Sequence, residues 1–278
     1  MTVFLKLKLV MKIILSRKGF DSEFGGQPSP ILPDGTLLSL PIPSKHESIF
    51  FKELAHKGKS YYDIIKELDS DSKIKEKYTC HLDPDLRGDI YSRPYFWQPL
   101  FGQADTAQSH LNSQGVGKGD LFLFFGTFRQ TEEIDGKLHY EKKSKEKHVI
   151  FGYMQIGAVH NDCMLFPKEI SYHPHATPLF TERKNNCIYA ATNELSLIPS
   201  KKGAGCFEFD KKLILTKEGY SKSRWALPDF FKTIDISYHT KDSFKDEYFQ
   251  SAAKGQEFVM NADEKVLEWV KNLFIHTT

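Results

Sequence analysis

Apolar and polar positions along the chain switch between two periods. Met11 to Leu15 is a short apolar run that predicts a strand over 11–16. The stretch 28–43, PSPILPDGTLLSLPIP, places the turn formers Pro33, Asp34 and Gly35 between apolar arms and predicts a hairpin. SIFFKELAHKG (48–58) and SYYDIIKELDSDSKIKEKY (60–78) carry helical spacing, with Gly58 placed to end the first helix. The segment 79–102 has no period and many turn formers, so it reads as a long loop. A helix over 103–115, closed by Gly115, precedes two strong strands, DLFLFFGTFR (120–129) and HVIFGYMQIGAV (148–159), joined by a lysine-rich hairpin end. Further strands are predicted in 186–198 and 205–215. A last helix over 263–276 carries Val266, Leu267, Val270, Leu273 and Phe274 on one stripe. Strands and helices mix without a βαβ rhythm, which predicts an α+β fold: one compact domain over 11–278 with a mixed or antiparallel sheet. Residues 1–10 read as an N-terminal extension with Met11 as an alternative start; the competing reading is an alternating strand from Val3 to Val10.

Composition changes this picture little. A chain of 278 residues with 40% hydrophobic and 27% charged residues has the make-up of a globule, and no apolar run approaches the roughly 20 residues of a membrane span. The net charge of +2 neither requires nor excludes nucleic acid, since a small basic groove can hide in a balanced total. Cys80, Cys163, Cys187 and Cys206 are dispersed without zinc spacing. They read as reduced, buried thiols of a cytoplasmic protein.

Candidate chemistry lies in five places. Arg17, Lys18 and Asp21 stand at a strand end before Gly25 and Gly26, where cations and backbone N–H groups could hold a phosphate; surface pairing of Arg17 with Asp21 or Glu23 is the bland alternative. In CHLDPDLR, an extended chain puts His81, Asp83 and Asp85 on one face. Two adjacent carboxylates call for a divalent cation such as Mg²⁺, a shared proton, or a counter-charge from Arg87 or Arg93. In SYHPH, Pro174 keeps the chain extended, so His173 and His175 point the same way as candidate acid–base groups; the two with a distant Asp could also make a facial metal triad, but HPH does not match its common H-x-D/E pattern. Gln103, His110 and Gln114 fall on one face if 103–115 is helical, where they could read a base edge. Trp97 and Phe128, beside Gln98 and Arg129, are candidate stacking residues. GVGKGD fits neither phosphate-loop spacing and reads as a turn from helix to strand.

The blocks MKIILSRKGFDSEFGGQPSPILPDGTLLSLPIP, CHLDPDLR, FGQADTAQSHLNSQGVGKGDLFLFFGTFR, HVIFGYMQIGAV, SYHPH and AKGQEFV run in order from about residue 11 to 259, and they resemble the nucleotide modification associated domain 3 family. The resemblance implies a setting of modified bases in DNA, in phages and bacteria, with a nucleotide or DNA and other base-modification enzymes as partners. It assigns no reaction. One departure is Thr127, where an aromatic is expected. The paired strands after KGD also resemble the β-barrel core of PUA-like domains, which hold an extruded base in an aromatic pocket. Two functions follow as expectations. One is an enzyme that binds a nucleotide or a base in DNA and acts on it through Asp83, Asp85, His173 and His175. The other is a non-catalytic reader of modified bases.

Overall fold

A computed structural model describes residues 11–275; the reading of residues 1–10 and His276 lie outside the described residues. The strand Leu121–Ile134 is the spine. Its first eight residues are all buried, the pattern of a strand covered on both faces. Lys12–Arg17 runs parallel to it on one side and Lys147–His160 antiparallel on the other. The sheet continues outward to Glu257–Asn261 beyond the first of these, and to Cys187–Ala191 and then Leu100–Gln103 beyond the second. Ser29–Ile31, Lys137–Tyr140 and Ala204–Cys206 attach as side branches. The result is a large mixed sheet in a single compact α+β domain, as the element pattern implied.

The PUA-like barrel does not form. Glu257–Asn261 and Leu100–Gln103 are separate ends of the sheet and do not pair, so it is open among the described residues. Thr127 is buried in the strand opposite His148.

Among the described residues there are four α-helices, one of them the single turn Pro178–Thr181. Tyr61–Leu68 starts where Ser60 Oγ accepts from Asp63 N, and it buries Tyr61, Ile64 and Ile65. Asp105–Ser113 ends at Gly115, whose φ of 62° is left-handed. Glu264–Leu273 starts on Asp263, which accepts from Val266 N, and buries Val266, Val270 and Leu273. No helix among the described residues is long and apolar enough to cross a membrane.

One helical expectation fails and another is cut short. Residues 48–58 form turns and one arm of a small hairpin, in which Ala55–His56 pairs with Lys59–Ser60. Lys57 and Gly58 have φ of 49° and 83°, the two left-handed residues of a tight hairpin turn, so Gly58 reverses a strand and caps no helix. Phe51 and Leu54 satisfy the apolar spacing by inserting into a second core under the helix Tyr61–Leu68. The helix expected over 60–78 stops at Leu68, because Asp69 and Ser72 hydrogen-bond the backbone just beyond it. The Pro33–Asp34–Gly35 turn forms and its arms pair beside it, Ile31 opposite Leu37, but farther out they part: Ser29–Ile31 joins the large sheet, while Ile42–Ser44 pairs with Thr79–His81. All four cysteines are free. Cys80 and Cys187 are buried, whereas Cys163 is half-buried and Cys206 exposed.

The main core contains a titratable group. His148 is 5% exposed, and its Nδ1 accepts a 3.0 Å hydrogen bond from Trp225 Nε1. Burial, with lesser help from Arg17 and Lys222, pushes its pKa down to about 3. A histidine depressed in the fold and ordinary when unfolded takes its proton first in the unfolded state, so its share of stability is complete above about pH 6.5 and is lost on acidification. Between pH 7 and 5 the wild type is expected to lose about 2 kcal/mol more unfolding free energy than His148→Gln, read from denaturant melts at both pH values. Equal losses would show that His148 is not held neutral.

Candidate functional site

A cavity of about 590 Å³ opens between the end of the first strand and the edge strand Leu100–Gln103. It unites stretches far apart in the chain: Arg17 to Phe24, Ile42 to Glu47, His81 with Asp83, His175 to Arg183, and Ala253 to Gln256.

On the loop side the cations are already engaged. Arg17 donates to the carbonyls of Ala252 at 2.7 Å and Ala253 at 3.3 Å, tying the first strand to the loop after Ser251. Lys18 Nζ sits 2.9 Å from Glu257 Oε1 and over the Phe101 ring, and Gln103 Nε2 donates to the same carboxylate oxygen at 2.7 Å. Asp21 Oδ1 accepts from the N–H groups of Glu23 and Phe24, both at 2.8 Å, and so shapes the loop. Gly25 serves packing: at φ 91°, a Cβ there would sit 2.3 Å from the Phe20 ring. Two other cations face the cavity more freely. Arg183 lies over the Phe180 ring at 4.4 Å and has a loose 3.6 Å contact with Asp105, and Lys254 has no ion-pair partner among the described residues.

The opposite wall holds the histidines. Asp83 Oδ1 accepts from Gly102 N at 2.8 Å, and His173 Nε2 approaches it at 3.2 Å without hydrogen-bond alignment. Oδ2 is left toward His81 Nε2, 3.8 Å away. Burial alone would raise the Asp83 carboxyl, but the contact from His173 and the imidazole charges outweigh it and hold the group below the usual carboxylate range. His81 Nδ1 lies 2.8 Å from Glu47 Oε1, and its ring stacks on Phe180. His175 Nδ1 is 2.7 Å from Asn186 Oδ1, while Asn186 Nδ2 donates to the His175 carbonyl, which fixes the amide's orientation. Burial, opposed by Asp83, pushes the His175 imidazole down to about 3 and leaves it neutral at neutral pH. His81, Asp83 and His175 each present one ligand atom, all within 4.8 Å of one another.

Arg17, Lys18, Asp21, Asp83, Gln103 and His175 therefore meet in one cavity. The other expected residues do not join them. Asp85 turns away: its backbone pairs with Leu100, and its carboxylate takes Arg93 at 2.5 and 2.8 Å and Trp97 Nε1 at 3.0 Å. The counter-charge thus comes from Arg93, and the two carboxylates share no site. His173 is fully buried behind Asp83. Gln103 belongs to a strand, so it shares no helix face with His110. His110 lines a separate groove with Gln114, its Nε2 2.9 Å from Ser237 Oγ. Arg129 packs on Tyr140 and donates to the Glu141 carbonyl in the hairpin arm. Trp97 is held by Asp85 and Arg93, and Phe128 is wholly inside the core, so neither faces this cavity.

Glu47, Gly102, Phe180, Arg183, Asn186 and Lys254 went unread in the sequence. One signal is present: His81-Leu82-Asp83 is itself an H-x-D step with a later histidine, which HPH is not. Asn186 and Arg183 sit in TERKNNC, which has no pattern pointing to a site.

The nucleotide modification associated domain 3 profile matches residues 12–261. The chain belongs to this family. No curated protein and no solved structure matches the chain. The matched span of the nucleotide modification associated domain contains every residue of the cavity wall, from Arg17 to Gln256, and stops before the helix Glu264–Leu273.

Proposed function

We propose that the cavity binds a nucleotide, free or within DNA, and that His81, Asp83 and His175 act on it. The observation that carries this reading is that the imidazole–carboxylate cluster and the cations Arg183 and Lys254 line one cavity. A phosphate has Arg183 and Lys254 within the wall, and a base has the ring of the 42% exposed Phe24. The family's association with nucleotide modification supplies the ligand class. The reader alternative loses the stacking residues first expected for it, since Trp97 and Phe128 lie outside the cavity.

The test is a titration of the purified chain with nucleosides, nucleoside monophosphates and single- and double-stranded DNA, followed by mass spectrometry of the products. Arg183→Ala/Lys254→Ala is expected to weaken phosphate-bearing ligands by roughly 10–100-fold, from the worth of charge-assisted hydrogen bonds, and to leave nucleoside binding unchanged. Equal weakening of both, or none, removes the phosphate assignment. Tight binding with no product from any of these ligands turns the reading back to a reader.

A further inference from the structure

We infer that His81, Asp83 and His175 form a site for a divalent first-row transition ion, held on one face and open toward the cavity. This deepens the proposed function, and its decisive measurement needs no nucleotide. The argument rests on which atoms are already committed. A carboxylate opposite His81 Nδ1 can only accept, so that nitrogen carries the proton and Nε2 keeps its lone pair. The same follows for His175: Asn186 spends its amide N–H on the His175 carbonyl, so its oxygen faces Nδ1, which must be the protonated nitrogen. Asp83 uses Oδ1 on Gly102 N and His173, which leaves Oδ2. Two bare Nε2 atoms and one carboxylate oxygen therefore converge. Each is braced from behind by an acceptor or donor, the arrangement that orients metal ligands.

The dimensions are close to those required. His81 Nε2 and Asp83 Oδ2 are 3.8 Å apart, and ligand atoms on one ion with bonds near 2.0–2.2 Å lie about 3.0–3.5 Å apart, so a small side-chain adjustment completes the site. Two imidazoles and one carboxylate suit iron, manganese or zinc. Mg²⁺ prefers an all-oxygen set, and the Asp83–Asp85 pair that would have suited it does not exist, because Asp85 is bound to Arg93. Phe180 packs on both imidazoles from one side, and the three ligands line the cavity that Arg17 and Lys254 also line.

The whole chain, stripped with a chelator, is titrated with Mn²⁺, anaerobic Fe²⁺, Zn²⁺ and Mg²⁺, and bound metal is measured by inductively coupled plasma mass spectrometry. The expected result is about one transition ion per chain, not displaced by a 100-fold excess of Mg²⁺. His81→Ala and His175→Ala should bind at least about 100-fold more weakly, and Glu47→Gln, which only orients His81, about 10–100-fold more weakly. His110→Ala, in the other groove, should bind as the wild type does. If His175→Ala does not fold, His81→Gln, at a position whose side chain is 12% exposed, serves in its place. A wild type that retains no transition ion, or wild-type retention by both His81→Gln and Glu47→Gln, overturns the site. Nucleotide binding without metal would sink this inference alone, and metal binding without nucleotide would sink only the proposed function.

Discussion

Arg93→Ala is expected to unfold about 3–5 kcal/mol more easily than the wild type at neutral pH, the cost of stranding one partner of a buried ion pair. Asp85 is 3% exposed. Arg93 meets both of its oxygens and also donates to the Arg87 carbonyl at 2.7 Å. Burial raises the Asp85 carboxyl despite Arg93 and Trp97, which pull it down, so losing Arg93 must raise it further. A carboxyl raised in the fold binds its proton more readily there than in the unfolded chain, so acidification relieves the penalty. Denaturant melts should therefore show a smaller deficit at pH 5 than at pH 7. Arg93→Met/Asp85→Asn, which removes both charges and keeps an acceptor for Trp97, should recover more than half of it. A deficit that does not change with pH, or one below about 1 kcal/mol, would mean that the pair is not what holds the 85–100 loop.

Gly102→Ala is expected to dismantle the cluster around Asp83 and to destabilise the fold by about 1–3 kcal/mol, the usual cost of overpacking. A Cβ at Gly102 would lie 2.3 Å from Cγ and Cδ2 of His175 and 2.8 Å from its Nε2. That ring cannot easily withdraw, being 3% exposed, bonded to Asn186 and packed on Phe180 at 4.1 Å between centroids. Either His175 swings out, or the strand Leu100–Gln103 shifts and Gly102 N leaves Asp83 Oδ1. Both outcomes should appear as a displaced His175 imidazole resonance and as a fall of more than about tenfold in affinity for any ligand of the cavity. Gly117→Ala is the matched control, since nothing lies within 4 Å of a Cβ there, and it should leave both unchanged. A Gly102→Ala chain that behaves like the control would show that His175 is not held against this strand.

Local pattern determined those parts of the molecule that local physics stabilises. The apolar runs read at 11–16, 120–129 and 148–159 form strands of the large sheet, and the helix after Asp263 presents its stripe to the core. The absence of a βαβ rhythm was enough for an α+β domain. The apolar spacing at 48–58 misled because a helix and a compact loop can bury the same residues, and the choice fell to the left-handed pair Lys57–Gly58 and to the core waiting for Phe51 and Leu54. The candidate site shows the limit most clearly. His81, Asp83, Asp85, His173 and His175 were all visible as polar residues in turn-rich stretches. Which of them would meet was not, because extended spacing put Asp83 with Asp85 and His173 with His175. Partners distant in the chain decided otherwise: Leu100 and Arg93 took Asp85, Gly102 and His173 took one oxygen of Asp83, and Asn186 turned His175 toward His81. A side chain's direction follows from where its hydrogen-bond partners stand, and those positions exist only once the strands 79–81, 100–103 and 187–191 have been brought together in the folded chain.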